Sequence, residues 1–306
     1  MDSIRRTVFL SLAVLLLSCL AVNSQDKRNP EKPLFRVGVD NVFLRVSVTD
    51  SRDRCVTGLT RDDFKIYEDK VRQEISTFLQ EPSPVSIGFL LDASGSMKEN
   101  NNIHSARSAL RSFMADVTPG DEYFLVAFNQ EAELIKDFTD DPGAMLSAGA
   151  LIRPKGRTAL WDALYRGLDT MREARNEKKA LILITDGEDN SSRYTSREVR
   201  EFAKESDVQV YAIGEPGDLG YGPVQIREVA YVTGGRAFFP EGGLSSLEYY
   251  ISLIHDELRS QYVIGYVPTS TEHDGKWRKI KVQLYQPKGM PKLAVRTREG
   301  YYSAKK

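Results

Sequence analysis

Apolar and polar positions change rhythm twice along the chain. From Leu34 to Gln80 the alternation has period two: Val42, Leu44, Val46 and Val48 fall on one face of a strand, and Arg45, Ser47 and Thr49 on the other. A polar turn over 50–53 follows, and Asp63 to Glu68 and Gln73 to Leu79 predict two further strands. Glu81-Pro82-Ser83-Pro84 then marks a boundary, because proline cannot donate to a strand ladder and restricts its neighbour. From Val85 the rhythm becomes strand and helix in alternation. Val85 to Leu91, Tyr123 to Phe128, Ala180 to Thr185 and Val208 to Ile213 are short apolar runs, with Glu133 to Phe138 as a hairpin partner for the second. Helical spacing predicts helices over 103–117, 142–152, 159–175, 196–206 and 244–258, and a helix-turn-strand over 226–239.

The last third returns to strand character at Tyr262 to Tyr266, Trp277 to Tyr285 and Leu293 to Thr297. Three strands alone make a poor core, so they are expected to pair with the N-terminal strands. The expected fold class is α/β: a doubly wound, mainly parallel, Rossmann-like sheet, inserted in a small β-sandwich formed by N- and C-terminal segments. The expected divisions are a leader over 1–24, a β segment over 34–83, the α/β domain over 84–259 and a second β segment over 260–303.

Composition narrows the function. A formal charge of −1 over 306 residues provides no basic field for polyphosphate, which argues against nucleic acid. Arg5 and Arg6, the apolar stretch Val8 to Leu17 and the small residues Ser18, Ala21 and Ser24 have the shape of an export signal, too short for a permanent span. Cleavage after Ala21 or Ser24 would release a periplasmic or extracellular protein, whereas Leu16-Leu17-Ser18-Cys19 leaves open a lipid anchor at Cys19. No later segment is apolar and long enough to cross a membrane. Cys55 would then stand without an internal disulfide partner and reads as a small buried residue.

The densest chemistry is Asp92-Ala93-Ser94-Gly95-Ser96, directly after the first buried run. Gly95 lets the backbone turn tightly enough for Ser94 and Ser96 to face one point. Thr158, in Gly156-Arg157-Thr158-Ala159-Leu160, and Asp186, after Leu181 to Thr185, belong to the same edge of a parallel sheet, where crevices form. Three hydroxyls and two carboxylates make an oxygen shell suited to magnesium, or to manganese or calcium. Each piece also has a plain structural reading: a strand-closing turn at Asp92, a helix cap at Thr158, an Asx turn at Asp186. Glu188 and Asp189 read as exposed loop acids, Gly217 to Gly222 as a surface loop, and Phe238, Phe239, Tyr249 and Tyr250 as core.

The order Asp-x-Ser-x-Ser, later threonine, later aspartate resembles the von Willebrand factor A domain over roughly Val85 to Leu258. The flanks, Val56-Thr57-Gly58-Leu59-Thr60-Arg61-Asp62-Asp63-Phe64 and Gln261-Tyr262-Val263-Ile264-Gly265-Tyr266, resemble exported bacterial VWFA-related domain proteins. The resemblance implies a metal-ion-dependent adhesion site (MIDAS) in which Ser94, Ser96 and Thr158 coordinate the ion while Asp92 and Asp186 bind it directly or through water. A cation site with hydroxyl ligands and no accompanying catalytic base points to a non-enzymatic module that grips an Asp or Glu of a protein partner. Arg157 departs from the family, where glycine is common, and stands where it would screen the ion or engage a carboxylate. Two other functions stay open: a metal-dependent hydrolase or phosphotransferase using Asp92, and a structural envelope protein. Against catalysis, no second acid stands two residues after Asp92, and neither a Gly-x-Ser-x-Gly elbow nor more than three histidines is present.

Overall fold

Four strands open the described chain: β1 (Val42–Thr49), β2 (Phe64–Glu68), β3 (Val71–Gln73) and β4 (Ile75–Leu79). The computed structural model describes residues 41–80, 83–215, 221–285 and 292–305, all within one compact unit, Asp40–Lys306. The expected leader, its cleavage points and Cys19 lie outside the described residues, as does most of the expected loop 217–222.

The α/β region follows as β5 (Val85–Asp92), α1 (Asn102–Met114), β6 (Glu122–Phe128), β7 (Ala132–Thr139), α2 (Pro142–Leu151), α3 (Leu160–Thr170), β8 (Lys178–Thr185), α4 (Ser196–Glu205), β9 (Gln209–Gly214), α5 (Tyr221–Thr233), β10 (Ala237–Phe238) and α6 (Leu247–Ser260). Its six strands stand in the order β10-β9-β8-β5-β6-β7, all parallel except the β6–β7 hairpin. Every residue of β5, β6 and β9 is buried, which is why these strands read as unbroken apolar runs rather than alternations. Ile87, Phe89 and Leu91 face α1, α2 and α6 through Phe113, Met145 and Ile254. Leu90 and Leu183 face α3, α4 and α5 through Leu164, Val199 and Ile226. Successive side chains of one strand thus feed two cores.

The closing strands are β11 (Tyr262–Tyr266), β12 (Trp277–Leu284), β13 (Ala294–Arg296) and β14 (Gly300–Tyr302). They interleave with the opening strands into two four-stranded sheets, β13-β1-β11-β4 and β14-β12-β2-β3. Between them lies a core of Leu44, Val46, Phe64, Ile66, Tyr262, Ile264 and Ile280. The strand expected over Gln73 to Leu79 is in fact two, because the chain changes sheet at Glu74. The second face of β1 is also covered: Ser47 and Thr49 are buried, and Arg45 reaches Asp207 of the α/β region at 2.7 Å. The chain crosses from α6 to β11 through buried Gln261, whose amide donates to Gln209 at 2.8 Å and Ser47 at 3.2 Å. Sandwich and α/β region thus share a polar seam. Among the described residues no helix is long and apolar enough to cross a membrane.

Candidate functional site

Strand order reverses at β5, whose neighbours β8 and β6 lie on opposite sides, and Asp92 and Asp186 leave the sheet at that point. Asp92 is fully buried. Its Oδ1 accepts the Ser94 amide at 2.7 Å and its Oδ2 the Thr185 hydroxyl at 2.6 Å. The first bond is the expected strand-closing turn at Asp92, and it brings Ser94 over the strand end. Ser94 Oγ lies 3.0 Å from Ser96 Oγ, and Ser96 Oγ donates to Asp186 Oδ1 at 2.7 Å. Thr158 is 3% exposed, and its hydroxyl and that of Ser96 both border Gly187, where an added Cβ would stand 3.6 Å from one and 3.8 Å from the other. Asp92, Ser94, Ser96 and Asp186 are thus joined in one chain of hydrogen bonds, and Thr158 stands beside Gly187 on the same side as Ser96.

Backbone hydrogen bonds hold the three loops together. Ala93 N donates to Phe128 O at 2.7 Å, Lys155 N to Ala93 O at 2.8 Å and Gly95 N to Gly156 O at 2.9 Å. Gly156 has φ of +76°, a conformation that favours glycine and turns the chain into Thr158. The loop after Asp186 is sewn to the start of α3. Asn190 Oδ1 accepts the Thr158 amide at 2.9 Å, and Asn190 N donates to Thr158 O at 3.0 Å.

Three expectations change. Asp189 is not an idle loop acid: its Oδ1 accepts the Leu160 amide at 2.9 Å, so it caps α3, where the helix dipole favours negative charge. Arg157 makes no ion pair with a described carboxylate; its guanidinium donates to the Asn190 carbonyl and ties the two loops. Tyr249 is 54% exposed and stands outside the core that holds Phe238.

Sequence reasoning passed over Asn102 and Glu215. Asn102, at the start of α1, is 3% exposed and donates from Nδ2 to Asp186 Oδ2 at 2.9 Å and to Glu215 Oε1 at 3.2 Å. The signal for it was the run Asn100-Asn101-Asn102 directly after the serine motif. Asn100 and Asn101 have φ of +47° and +62°, and asparagine is the non-glycine residue that best tolerates this region.

The electrostatics are one-sided. Burial, with the Asp186 charge adding to it, pushes the Asp92 carboxyl up to about 6 against the pull of its Thr185 and Ser94 hydrogen bonds. No described lysine or arginine makes an ion pair with Asp92, Asp186 or Glu215. No described cluster of three His, Cys, Asp or Glu side chains has the form of a metal site. What converges here is two carboxylates with three hydroxyls, a donor set of hard oxygens.

Residues 87–188 match the profile of the von Willebrand factor type A domain. The chain carries a von Willebrand factor type A (VWA) domain. Inter-alpha-trypsin inhibitor heavy chain H4 of Homo sapiens is 24% identical over 169 residues, half of this chain. The alignment spans only 18% of that heavy chain. Among solved structures, a von Willebrand factor type A protein from Catenulispora acidiphila aligns over 87% of this chain and 74% of its own, with a TM-score of 0.53 at 13% identity. Proximal thread matrix protein 1 from the mussel byssus, solved with a zinc-occupied MIDAS motif, aligns over 62% of this chain and 49% of its own, with a TM-score of 0.51 at 19% identity. At these identities the two structures speak for the VWA fold alone.

Proposed function

We propose that this chain is a metal-ion-dependent protein-binding module, holding magnesium, or manganese or calcium, between Asp92, Ser94, Ser96, Thr158 and Asp186. The observation that carries the reading is the buried Asp92 carboxylate, which faces hydroxyls and a second acid without any side-chain cation. A divalent ion supplies the missing charge, and three neutral hydroxyls leave it net positive. Such an ion offers an open position to an Asp or Glu carboxylate of a partner protein. The byssus protein with zinc at its MIDAS motif supports the same use of the fold.

The module is non-enzymatic in this reading. Asp92 has both oxygens engaged, by Ser94 and Thr185, and is sealed from solvent, so it is poorly placed to attack a phosphate or ester. The chain is exported, on the shape of its first 24 residues, and it works in the periplasm or outside the cell, free or anchored at Cys19.

Calorimetric titration of the purified protein with MgCl2, followed by capture from an envelope fraction, tests the reading. Saturable magnesium binding is expected, with a partner retained in magnesium and released by chelator or by Asp92→Ala. A partner that survives both treatments would support a structural role instead. Phosphate or ester turnover lost in Asp92→Ala would support catalysis.

A further inference from the structure

We propose that Asn102 is a positioning residue that selects the cation, and that Glu215 behind it sets how strongly any cation is held; both rest on the metal-binding reading above. The carboxamide nitrogen of Asn102 carries two hydrogens, and each has a carboxylate within reach: Asp186 Oδ2 at 2.9 Å and Glu215 Oε1 at 3.2 Å. Carboxylates only accept, so these partners fix which end of the amide faces them. Asp186 then has its two oxygens assigned. Oδ2 is drawn back by Asn102, and Oδ1 is left toward the hydroxyl of Ser96. Asn102 therefore decides which oxygen of Asp186 faces the site.

The backbone is shaped to bring Asn102 there. Two successive residues with positive φ, Asn100 and Asn101, turn the chain between the serine motif and α1, and Asn102 is buried at the first position of the helix. Glu215 follows β9, one strand beyond β8, and its carboxylate is seated against Gly243. An added Cβ at Gly243 would lie 2.7 Å from Glu215 Oε1. A third carboxylate is thus held within one hydrogen bond of Asp186's own anchor.

The two residues leave different signatures. Magnesium demands near-ideal octahedral geometry, while calcium accepts a loose and variable shell. Freeing the Asp186 carboxylate penalises magnesium far more than calcium, and losing an anchor of this kind lowers metal affinity about tenfold or more. Removing the Glu215 charge weakens the local field for any divalent ion alike, by roughly fivefold at such separations.

Calorimetric titrations of wild type, Asn102→Ala, Glu215→Gln and the double variant with MgCl2 and CaCl2 test the pair, with thermal melts of the metal-free proteins alongside. In Asn102→Ala, magnesium affinity is expected to fall about tenfold or more, and calcium affinity by less than about threefold. In Glu215→Gln both fall about fivefold, and the double variant loses no more magnesium preference than Asn102→Ala alone. Asn102→Ser, too short to reach both acids, is read in the same way if the alanine variant does not fold. Unchanged magnesium affinity in the Asn102 variants, or equal losses for both cations, overturns the selection role. Unchanged affinity in Glu215→Gln overturns the charge role. A wild type that binds neither cation removes the metal-binding reading itself, a failure visible before any variant is made.

Discussion

At the amino ends of the central strands, buried carboxylates meet guanidinium groups; at the carboxyl ends, buried Asp92 and half-buried Asp186 meet hydroxyls and one carboxamide. Asp121, just before β6, accepts the Val85 amide at 2.9 Å and the Tyr123 hydroxyl at 2.9 Å, and it is clasped by Arg259 of α6. Burial would push its carboxyl up, but Arg259 and the Val85 amide outweigh burial and hold it below the ordinary carboxylate range. Glu122 is likewise met by Ser86 at 2.6 Å and by the Arg175 side chain at 3.4 Å. Across the sheet, Asp92 is as deeply buried, and its carboxyl is displaced the other way. The same fold thus balances one buried carboxylate with a guanidinium and leaves the other without a described cationic side chain. A closed charge network at one end and an open one at the other is what separates scaffold from site.

The largest expected effect breaks the closed end. Arg259→Ala leaves Asp121 buried without its cation and should lower unfolding free energy by about 3–5 kcal/mol, read by urea denaturation at pH 7. Because the folded carboxyl titrates below its unfolded value, its contribution is present above about pH 3.8 and is lost as pH falls through the folded value. Wild type and variant should therefore converge in acid. A loss under about 1 kcal/mol would show that this end is not held by the ion pair.

Next comes the open end, with the opposite sign. Asp92→Asn keeps an acceptor for the Ser94 amide, presents an NH2 donor to Thr185 in place of the acceptor that its hydroxyl now uses, and removes an unpaired buried charge. It should stabilise the metal-free protein by about 1–2 kcal/mol and abolish the magnesium-dependent thermal shift that the proposed metal binding predicts. Destabilisation by Asp92→Asn would mean that the carboxylate is already neutralised from within.

The smallest effect probes the surplus charge of the closed end. Lys178, buried at the start of β8 with its ammonium on the Leu258 carbonyl, is pushed down to about 8 by burial, with Arg45 and Arg259 adding to the effect. Between that value and the ordinary lysine range near 10.5 the unfolded chain holds a proton that the folded chain has released, so stability from this group rises with pH. Lys178→Met should gain about 1 kcal/mol at pH 7, and the gain should shrink as pH is raised from about 8 to 10. A gain that does not change with pH would assign it to packing instead.

Much of this contrast was legible in the sequence, and for physical reasons. Val85 to Asp92 and Leu181 to Asp186 are continuous apolar runs ended by an acid, and a buried parallel strand ending in a crevice requires both features. The run Asn100-Asn101-Asn102 marks a turn, but the roles of Asn102 and Glu215 were not legible, because they rest on a hydrogen-bonded bridge across residues separated by more than a hundred positions. Asp189 was misjudged because an exposed loop acid and a helix cap look alike until the helix start is placed. The short strand Gly300–Tyr302 carries too few residues to show a period, and only its pairing with Trp277, Arg278 and Lys279 defines it. The change of sheet at Glu74 was invisible because both halves keep strand chemistry.

The α/β region leaves the sandwich from β4 and returns to it at β11, and these two strands are hydrogen-bonded neighbours, with Leu79 opposite Val263. Tension applied through the segments that enter β1 and leave β14 would therefore be carried by the sandwich ladders. The inserted domain would remain mechanically silent, like a shackle hung on a closed ring, until β4 was sheared from β11.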